Sequence, residues 1–260
     1  MKNYYPGDIY DTPPEKLGKK VFFRFNFYRR IMRVVFETRR KVLNNKYDDS
    51  EWNESSYDML RCFEDSGIPC HFRGMNNINS SNGATVFIGN HMSTAETFLL
   101  PSIILPRKKI TFIVKKDLMD YPVFGPIMRS RSPIAVGRKN SKEDFVAVMT
   151  AGIEKLKAGI SLVIFPQSTR MENFSPRHFN SIGIKLAKKA GVPVIPFALR
   201  TDCWGNGALL KDFGPVRTDR DVYIEFASPF KITGNGKEDH SQVIDFIKSR
   251  LTEWDCSIVE

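Results

Sequence analysis

The sequence predicts an α/β fold, a mostly parallel central sheet flanked by helices, with a two-helix prefix at the N-terminus. Two observations lead there. From residue 84 onward short apolar runs of buried-strand type alternate with segments of helical period, the pattern of strands joined by covering helices. The polar residues best suited to chemistry, His91, Arg138 and Gln167 to Arg170, each come just after one of these runs. That is where the carboxyl ends of parallel strands form a crevice for ligands. At 260 residues the chain can bury one full core and carry a prefix, with an expected division into residues 1–66 and 67–260.

The prefix opens with residues 17–43, LGKKVFFRFNFYRRIMRVVFETRRKVL, which hold no proline and, after Gly18, no glycine. At about 100° per residue, Val21, Phe25, Phe27, Tyr28, Ile31, Met32, Val34, Val35 and Phe36 sweep one broad face. Lys19, Arg29, Arg30, Arg33, Arg40 and Lys41 gather on the other, with Phe22 among them and Lys20, Arg24 and Arg39 as exceptions. Such a helix either packs its aromatic face on the domain or lies among lipid headgroups with the aromatics inserted. A second helix is expected over 49–65, capped by Asp49 or Ser50 and ended by Gly67-Ile68-Pro69. The turn-rich stretch Asn76 to Gly83 then leads into a strand over 85–89.

A helix over 93–105 stops before Pro106, and a strand over 109–114, a short helix near 125–130 and a strand over 133–136 follow. Ser141-x-x-Asp144 opens a helix whose Phe145, Val148, Met149, Ile153 and Leu156 share a face, closed by Gly159. Strands over 162–165 and 194–199 bracket a helix over 179–190. A strand over 222–226 precedes a last helix over 240–254. Trp204-Gly205-Asn206-Gly207 reads as an ordinary glycine turn or as a loop over the site.

The formal net charge of +10 is concentrated in one place. Residues 16–41 hold ten basic residues against one acid, so this stretch carries +9 and the other 234 residues about +1. A basic excess so localised points to an anionic surface met by one element. No nucleic-acid reader motif accompanies it, and nucleic acid is not an expected partner. The N-terminus lacks the apolar region of a signal peptide, and no run approaches the roughly 18 residues of a membrane span, so any membrane contact is expected to be peripheral. Cys62, Cys70, Cys203 and Cys256 form no C-x-x-C pair and no zinc-finger spacing with histidine. Reduced cytosolic thiols are the expectation, with no metal and no other cofactor.

The sharpest local signal is His91-Met92-Ser93-Thr94-Ala95-Glu96, a His-x4-Glu segment entered from the apolar run Ala84 to Asn90. It puts an imidazole and a carboxylate at a strand-to-helix junction. The carboxylate can return to one ring nitrogen, fix the tautomer and raise the basicity of the other. Such a base can take a proton from a hydroxyl as that hydroxyl attacks an activated acyl carbon, and no serine or cysteine nucleophile is needed. Ser93-x-x-Glu96 is also a capping box, which by itself would explain Glu96. The two readings are compatible if Glu96 divides its oxygens between helix and histidine.

Downstream, Lys115-Lys116-Asp117-Leu118, Tyr121-Pro122-Val123-Phe124-Gly125, Ile134-Ala135-Val136-Gly137-Arg138, Phe165-Pro166-Gln167-Ser168-Thr169-Arg170 and Gly191-Val192-Pro193-Val194-Ile195-Pro196 follow in order. Together with the His-x4-Glu segment they resemble the four blocks of the glycerolipid acyltransferase family, over about residues 84–200. The family usually has aspartate where this chain has Glu96, and Glu-Gly where it has Gln167-Ser168. In those positions the chain is most similar to a bacterial subset with His-x4-Glu and Phe-Pro-Gln-x-Thr-Arg variants.

The resemblance implies an O-acyltransferase of the 1-acylglycerol-3-phosphate type, working in phospholipid biosynthesis. The donor would be a fatty acyl thioester on coenzyme A or acyl-carrier protein, and the acceptor a hydroxyl of a lysophospholipid-type molecule. His91 would be the general base and Glu96 the carboxylate that orients it. Arg138 and Arg170 would bind phosphate through their planar forks, with Lys116 assisting. Gln167, Ser168 and Thr169 would face the acceptor, and the Gln167 amide can both accept and donate. Combined with the basic prefix, this places the expected work at the cytoplasmic face of an anionic membrane. The competing expectation, fed by the departures at Glu96, Gln167 and Ser168, is a catalytically impaired membrane-binding protein of the same fold.

Overall fold

The computed structural model describes residues 1–19, 22–137, 140–167, 169–208 and 211–259. Its strands are β1 (Tyr10–Asp11), β2 (Cys70–Arg73), β3 (Val86–Gly89), β4 (Ile110–Lys115), β5 (Ile134–Val136), β6 (Ser161–Ile164), β7 (Val194–Arg200) and β8 (Val222–Phe226). They form one sheet in the order β1-β2-β8-β7-β3-β6-β4-β5. Pairing is parallel from β7 through β3, β6 and β4 to β5 and between β2 and β8, and antiparallel at β1–β2 and β7–β8. The sheet is therefore mostly parallel, as the alternating pattern predicts. The two strands that the pattern does not predict, β1 and β2, are two and four residues long and take their conformation from β8 and from each other.

The helices are α1 (Phe23–Leu43), α2 (Asp49–Glu64), α3 (Ala95–Ile104), α4 (Phe124–Ser130), α5 (Ser141–Lys157), α6 (Ile182–Ala190) and α7 (Lys237–Glu253). They flank the sheet: α1 packs on α2 and α4, α2 on α3, α5 on α6 and β6, and α7 on β7. The N-cap of α2 is Asp48, whose side chain accepts from Glu51 N at 2.9 Å, one residue earlier than expected. The cap position favours whichever short acceptor reaches the free amides, and Asp48 has the extended backbone required.

The face of α1 differs from the expectation. Phe27, Ile31, Val34, Val35 and Thr38 are buried, while Phe25 and Phe36, expected on the apolar face, are 71% and 53% exposed; Phe22, expected on the basic side, and Leu43 are exposed as well. Phe25 and Phe36 sit two residues from buried positions, about 200° around the helix. They consequently share the solvent side with the exposed Arg29, Arg33 and Arg40, and the phenylalanines divide between two faces instead of sweeping one. The prefix also answers part of its own charge, because residues 48–65 bring seven acids. Arg30 meets Asp65 at 2.5 Å, and Lys41 pairs with Glu51. Lys20 and Val21 lie outside the described residues.

At the centre of the sheet all four residues of β3 are buried between β7 and β6. Its last residue must be glycine, because a Cβ on Gly89 would fall 2.3 Å from the Phe197 ring. The next residue, Asn90, replaces the backbone ladder with its side chain. Its Nδ2 donates to Leu199 O at 2.8 Å and its Oδ1 accepts from Leu199 N at 2.9 Å. Both Leu199 groups stay satisfied while the chain leaves the sheet and turns into His91.

Asn90→Ala strips two buried backbone groups of their partners, each worth about 1–3 kcal/mol. Urea unfolding is expected to show a loss of about 2–4 kcal/mol, and a loss under about 1 kcal/mol would mean that the turn does not depend on this side chain.

Candidate active site

His91, Gln167 and Arg170 all follow parallel strands that are neighbours in the sheet, β3 and β6. His91 is tied to the loop after β6 at both backbone groups. Its N–H donates to Gln167 Oε1 at 2.8 Å, and its carbonyl accepts from Met171 N at 2.9 Å. The imidazole stacks on Phe165, with ring centroids 4.3 Å apart. The ring is thus held on one flat side and along the main chain, and only its edge is left to react.

That edge is set by Glu96. Its side chain is fully buried, and Oε1 accepts from Met92 N at 2.5 Å and Ser93 N at 2.8 Å and lies 3.3 Å from His91 Nδ1. Oε2 accepts from Ser93 N at 3.0 Å and Ser93 Oγ at 3.1 Å. Ser93 Oγ in turn accepts from Ala95 N at 3.1 Å and lies 3.0 Å from Thr201 Oγ1. Glu96 therefore reaches back to the amides before the helix and contacts the histidine together, whereas the expected capping box is only half formed, since Ser93 Oγ takes the Ala95 amide and the cap position falls on Thr94, whose side chain makes no cap bond. Burial pushes its carboxyl up, but the hydrogen bond and charge of His91 and the Ser93 amide outweigh burial and hold it below the ordinary 4.5.

Gln167 is buried, and its Oε1 is already used by the His91 amide. Only Nε2, buried and without a partner among the described residues, is left to donate. Thr169 Oγ1 accepts from Lys211 Nζ at 3.1 Å. Arg170 Nη1 donates to Thr94 Oγ1, inside the His-x4-Glu segment, and to Asp212 Oδ1 at 2.7 Å. Lys116 is exposed at the start of a one-turn 3-10 segment after β4, and Lys115 turns back to Asp117. Among the described residues Lys116 makes no hydrogen bond or ion pair with the His91 group. Arg138 and Ser168 lie outside the described residues.

Four contributors were not singled out in the sequence. Asn90 and Phe165 adjoin recognised motif residues, and adjacency was the available signal. Lys211 and Asp212 had none, since nothing local ties them to residues 169 and 170. Asn206, in the segment that reads as a glycine turn or a loop over the site, donates to Met92 O at 3.0 Å and so lies against the His-x4-Glu segment.

Residues 70–200 match the Acyltransferase family. A 1-acyl-sn-glycerol-3-phosphate acyltransferase of Pseudomonas aeruginosa is 34% identical over 133 residues, covering 51% of this chain and 50% of the relative. Another, from Cocos nucifera, is 28% identical over 149 residues, covering 54% and 48%. The chain thus spans about half the length of these curated relatives. The crystal structure of the 1-acyl-sn-glycerophosphate acyltransferase PlsC from Thermotoga maritima superposes with a TM-score of 0.63 at 19% identity, over 93% of this chain and 98% of that one. This last likeness concerns the fold.

Glu96→Gln places an amide nitrogen where one oxygen now accepts. It is expected to cost about 1–3 kcal/mol at neutral pH, since the Ser93 donors lose an acceptor. Because the folded-state value lies below the ordinary one, the stability due to ionised Glu96 is complete above the carboxylate range and is lost as pH falls. Chemical unfolding from about pH 5 to pH 3 should therefore weaken the parent protein more than the variant, and parallel curves would contradict this account.

Proposed function

Because the chain belongs to the Acyltransferase family, we propose that it transfers a fatty acyl group from a thioester to the free hydroxyl of 1-acyl-sn-glycerol-3-phosphate or a similar phosphorylated lysolipid. The observation that carries this is the His91 ring, held by a buried carboxylate at the strand ends with an arginine anchored in the same segment. With Nδ1–H directed to Glu96, Nε2 keeps the lone pair that accepts the hydroxyl proton. The hydroxyl oxygen attacks the thioester carbonyl carbon, the tetrahedral adduct expels the thiolate, and the imidazolium returns the proton to it. Ionised Glu96 stabilises the imidazolium between these steps.

In this reading Arg170 binds the acceptor phosphate, with Arg138 and Lys116 assigned the same charge-matching role by their motif positions. Gln167 Nε2 is the donor left for the acceptor. The thioester carrier is coenzyme A or acyl-carrier protein. Residues 1–66 bring the enzyme to the cytoplasmic face of an anionic membrane, and residues 67–260 carry out the chemistry. No helix among the described residues is long and apolar enough to cross a membrane. The mixed stripe Phe22, Phe25, Arg29, Arg33, Phe36, Arg40 and Leu43 suits headgroup contact, because insertion of aromatics and attraction of phosphate occur along the same line. The reading as an impaired protein has less support, since Glu96 reaches His91 despite its extra methylene and Gln167 anchors the His91 amide.

His91→Ala is expected to lower acyl transfer about 10²–10⁴-fold in a protein that still folds, with some loss of melting temperature because buried Glu96 then lacks one of its donors. A residual rate above about a tenth would remove His91 from the role of base. Replacing Phe25 and Phe36 together by Asp should leave the melting temperature intact, both being exposed, and weaken flotation with vesicles rich in anionic lipid. Unchanged flotation would detach this stripe from the membrane.

A further inference from the structure

One prong of the Arg170 fork is already taken. Its Nη1 donates to Asp212 Oδ1 at 2.7 Å, and Thr94 Oγ1 donates to the same oxygen at 2.9 Å. Only 15% and 26% of the two charged side chains are exposed, so water and salt screen their attraction less than that of a surface pair. Asp212 stands 42 residues further along the chain. It arrives on a hairpin-like segment whose limbs are joined by hydrogen bonds from Gly205 N to Pro215 O at 2.9 Å and from Arg217 N to Cys203 O at 2.7 Å. A Cβ on Gly214 would fall 1.8 Å from Gly205 O, so glycine permits the close approach.

The segment is anchored on α1. The Tyr28 hydroxyl donates to Gly214 O and accepts from Trp204 Nε1 at 3.2 Å, and Phe213 stacks on the Tyr28 ring at 5.6 Å. Asn206 and Lys211 fasten the same segment to Met92 O and Thr169 Oγ1. The carboxylate is thus delivered to Arg170 by a built structure with attachments on three sides.

We propose that Asp212 is a resident counterion which the acceptor's phosphate replaces on Arg170, and that it is a specificity-determining residue for phosphorylated acceptors. This rests on the reading of Arg170 as the phosphate-binding residue. Carboxylate and phosphate offer equivalent oxygens to a guanidinium, and they compete for the same Nη1. A phosphate monoester, with close to two charges, can win that competition, whereas a neutral head group leaves the pair intact. Lys211 remains beside Thr169 to meet the incoming charge. The product still carries the phosphate, and return of Asp212 to Arg170 favours its release. While Asp212 holds the fork, the apparent affinity for phosphate is reduced by the fraction of molecules so occupied.

Asp212→Asn keeps the shape and removes the charge. The KM for 1-acyl-sn-glycerol-3-phosphate is expected to fall about threefold to tenfold, the scale of a partly screened ion pair. Equilibrium binding of inorganic phosphate, which needs no turnover, should tighten by a similar factor. The donor KM and inhibition by 1-acylglycerol, which lacks phosphate, should not move. Asp212→Ala, with a melting curve for both variants, guards against a local rearrangement peculiar to asparagine. If Arg170→Lys raises the acceptor KM but neither Asp212 variant lowers it, Asp212 merely holds Arg170 in place and the proposal is overturned. If Arg170→Lys leaves the acceptor KM and phosphate binding unchanged, the phosphate reading of Arg170 fails and takes the counterion with it.

Discussion

A carboxylate taken fully out of water must be met by donors on every side, and around Glu96 that requirement organises the start of α3 and the end of β3. The donors are the amides of Met92 and Ser93, the Ser93 hydroxyl and the His91 ring. The chain can supply all of them only by turning sharply after Gly89, which it does because Asn90 takes over the pairing with Leu199. The turn that enters the helix and the imidazole orientation are consequently inseparable here. A change that weakened one would disturb the other.

The second constraint runs across the sheet. His91 is fixed through its main chain to Gln167 and Met171, so the histidine moves with the loop after β6 as well as with its own strand. Glutamine suits position 167 in this setting. A carboxylate there could still accept from His91 N, but it would have no hydrogen to offer at the place of the buried Nε2 donor. It would also add a second buried negative charge near Glu96, at a cost burial makes large. The amide avoids both.

Helix α1 connects the outer surface with this interior. One side contributes Phe27, Ile31, Val34 and Val35 to the core, and the other exposes phenylalanine and arginine along a single line. Tyr28 stands at the edge and holds the segment that carries Asp212 to Arg170. The helix proposed to meet a lipid surface is therefore in direct contact with the part of the molecule that occupies the proposed phosphate site. The basic excess of residues 16–41 is moderated where Arg30 and Lys41 pair with acids of the second helix and its end.

The sequence by itself determined the alternation of strands and helices from residue 84, because continuous apolar runs and a period of 3.6 are properties of consecutive residues. It also put His91 and Glu96 within reach of each other, five residues apart at a strand-to-helix turn, although Leu199 and Gln167, far along the chain, hold that turn. Other features depended on partners distant in the chain. The strands Tyr10–Asp11 and Cys70–Arg73 lack the continuous apolar runs that mark the central strands and exist because neighbouring strands offer unpaired groups. Which side of α1 is covered was settled by α2 and α4, not by its own periodicity, which allowed a broad apolar sweep. The pairing of Arg170 with Asp212 joins residues 42 apart with no motif at Asp212, so only the closed path of the folded chain, through Tyr28 and Gly214, could bring that carboxylate to that arginine.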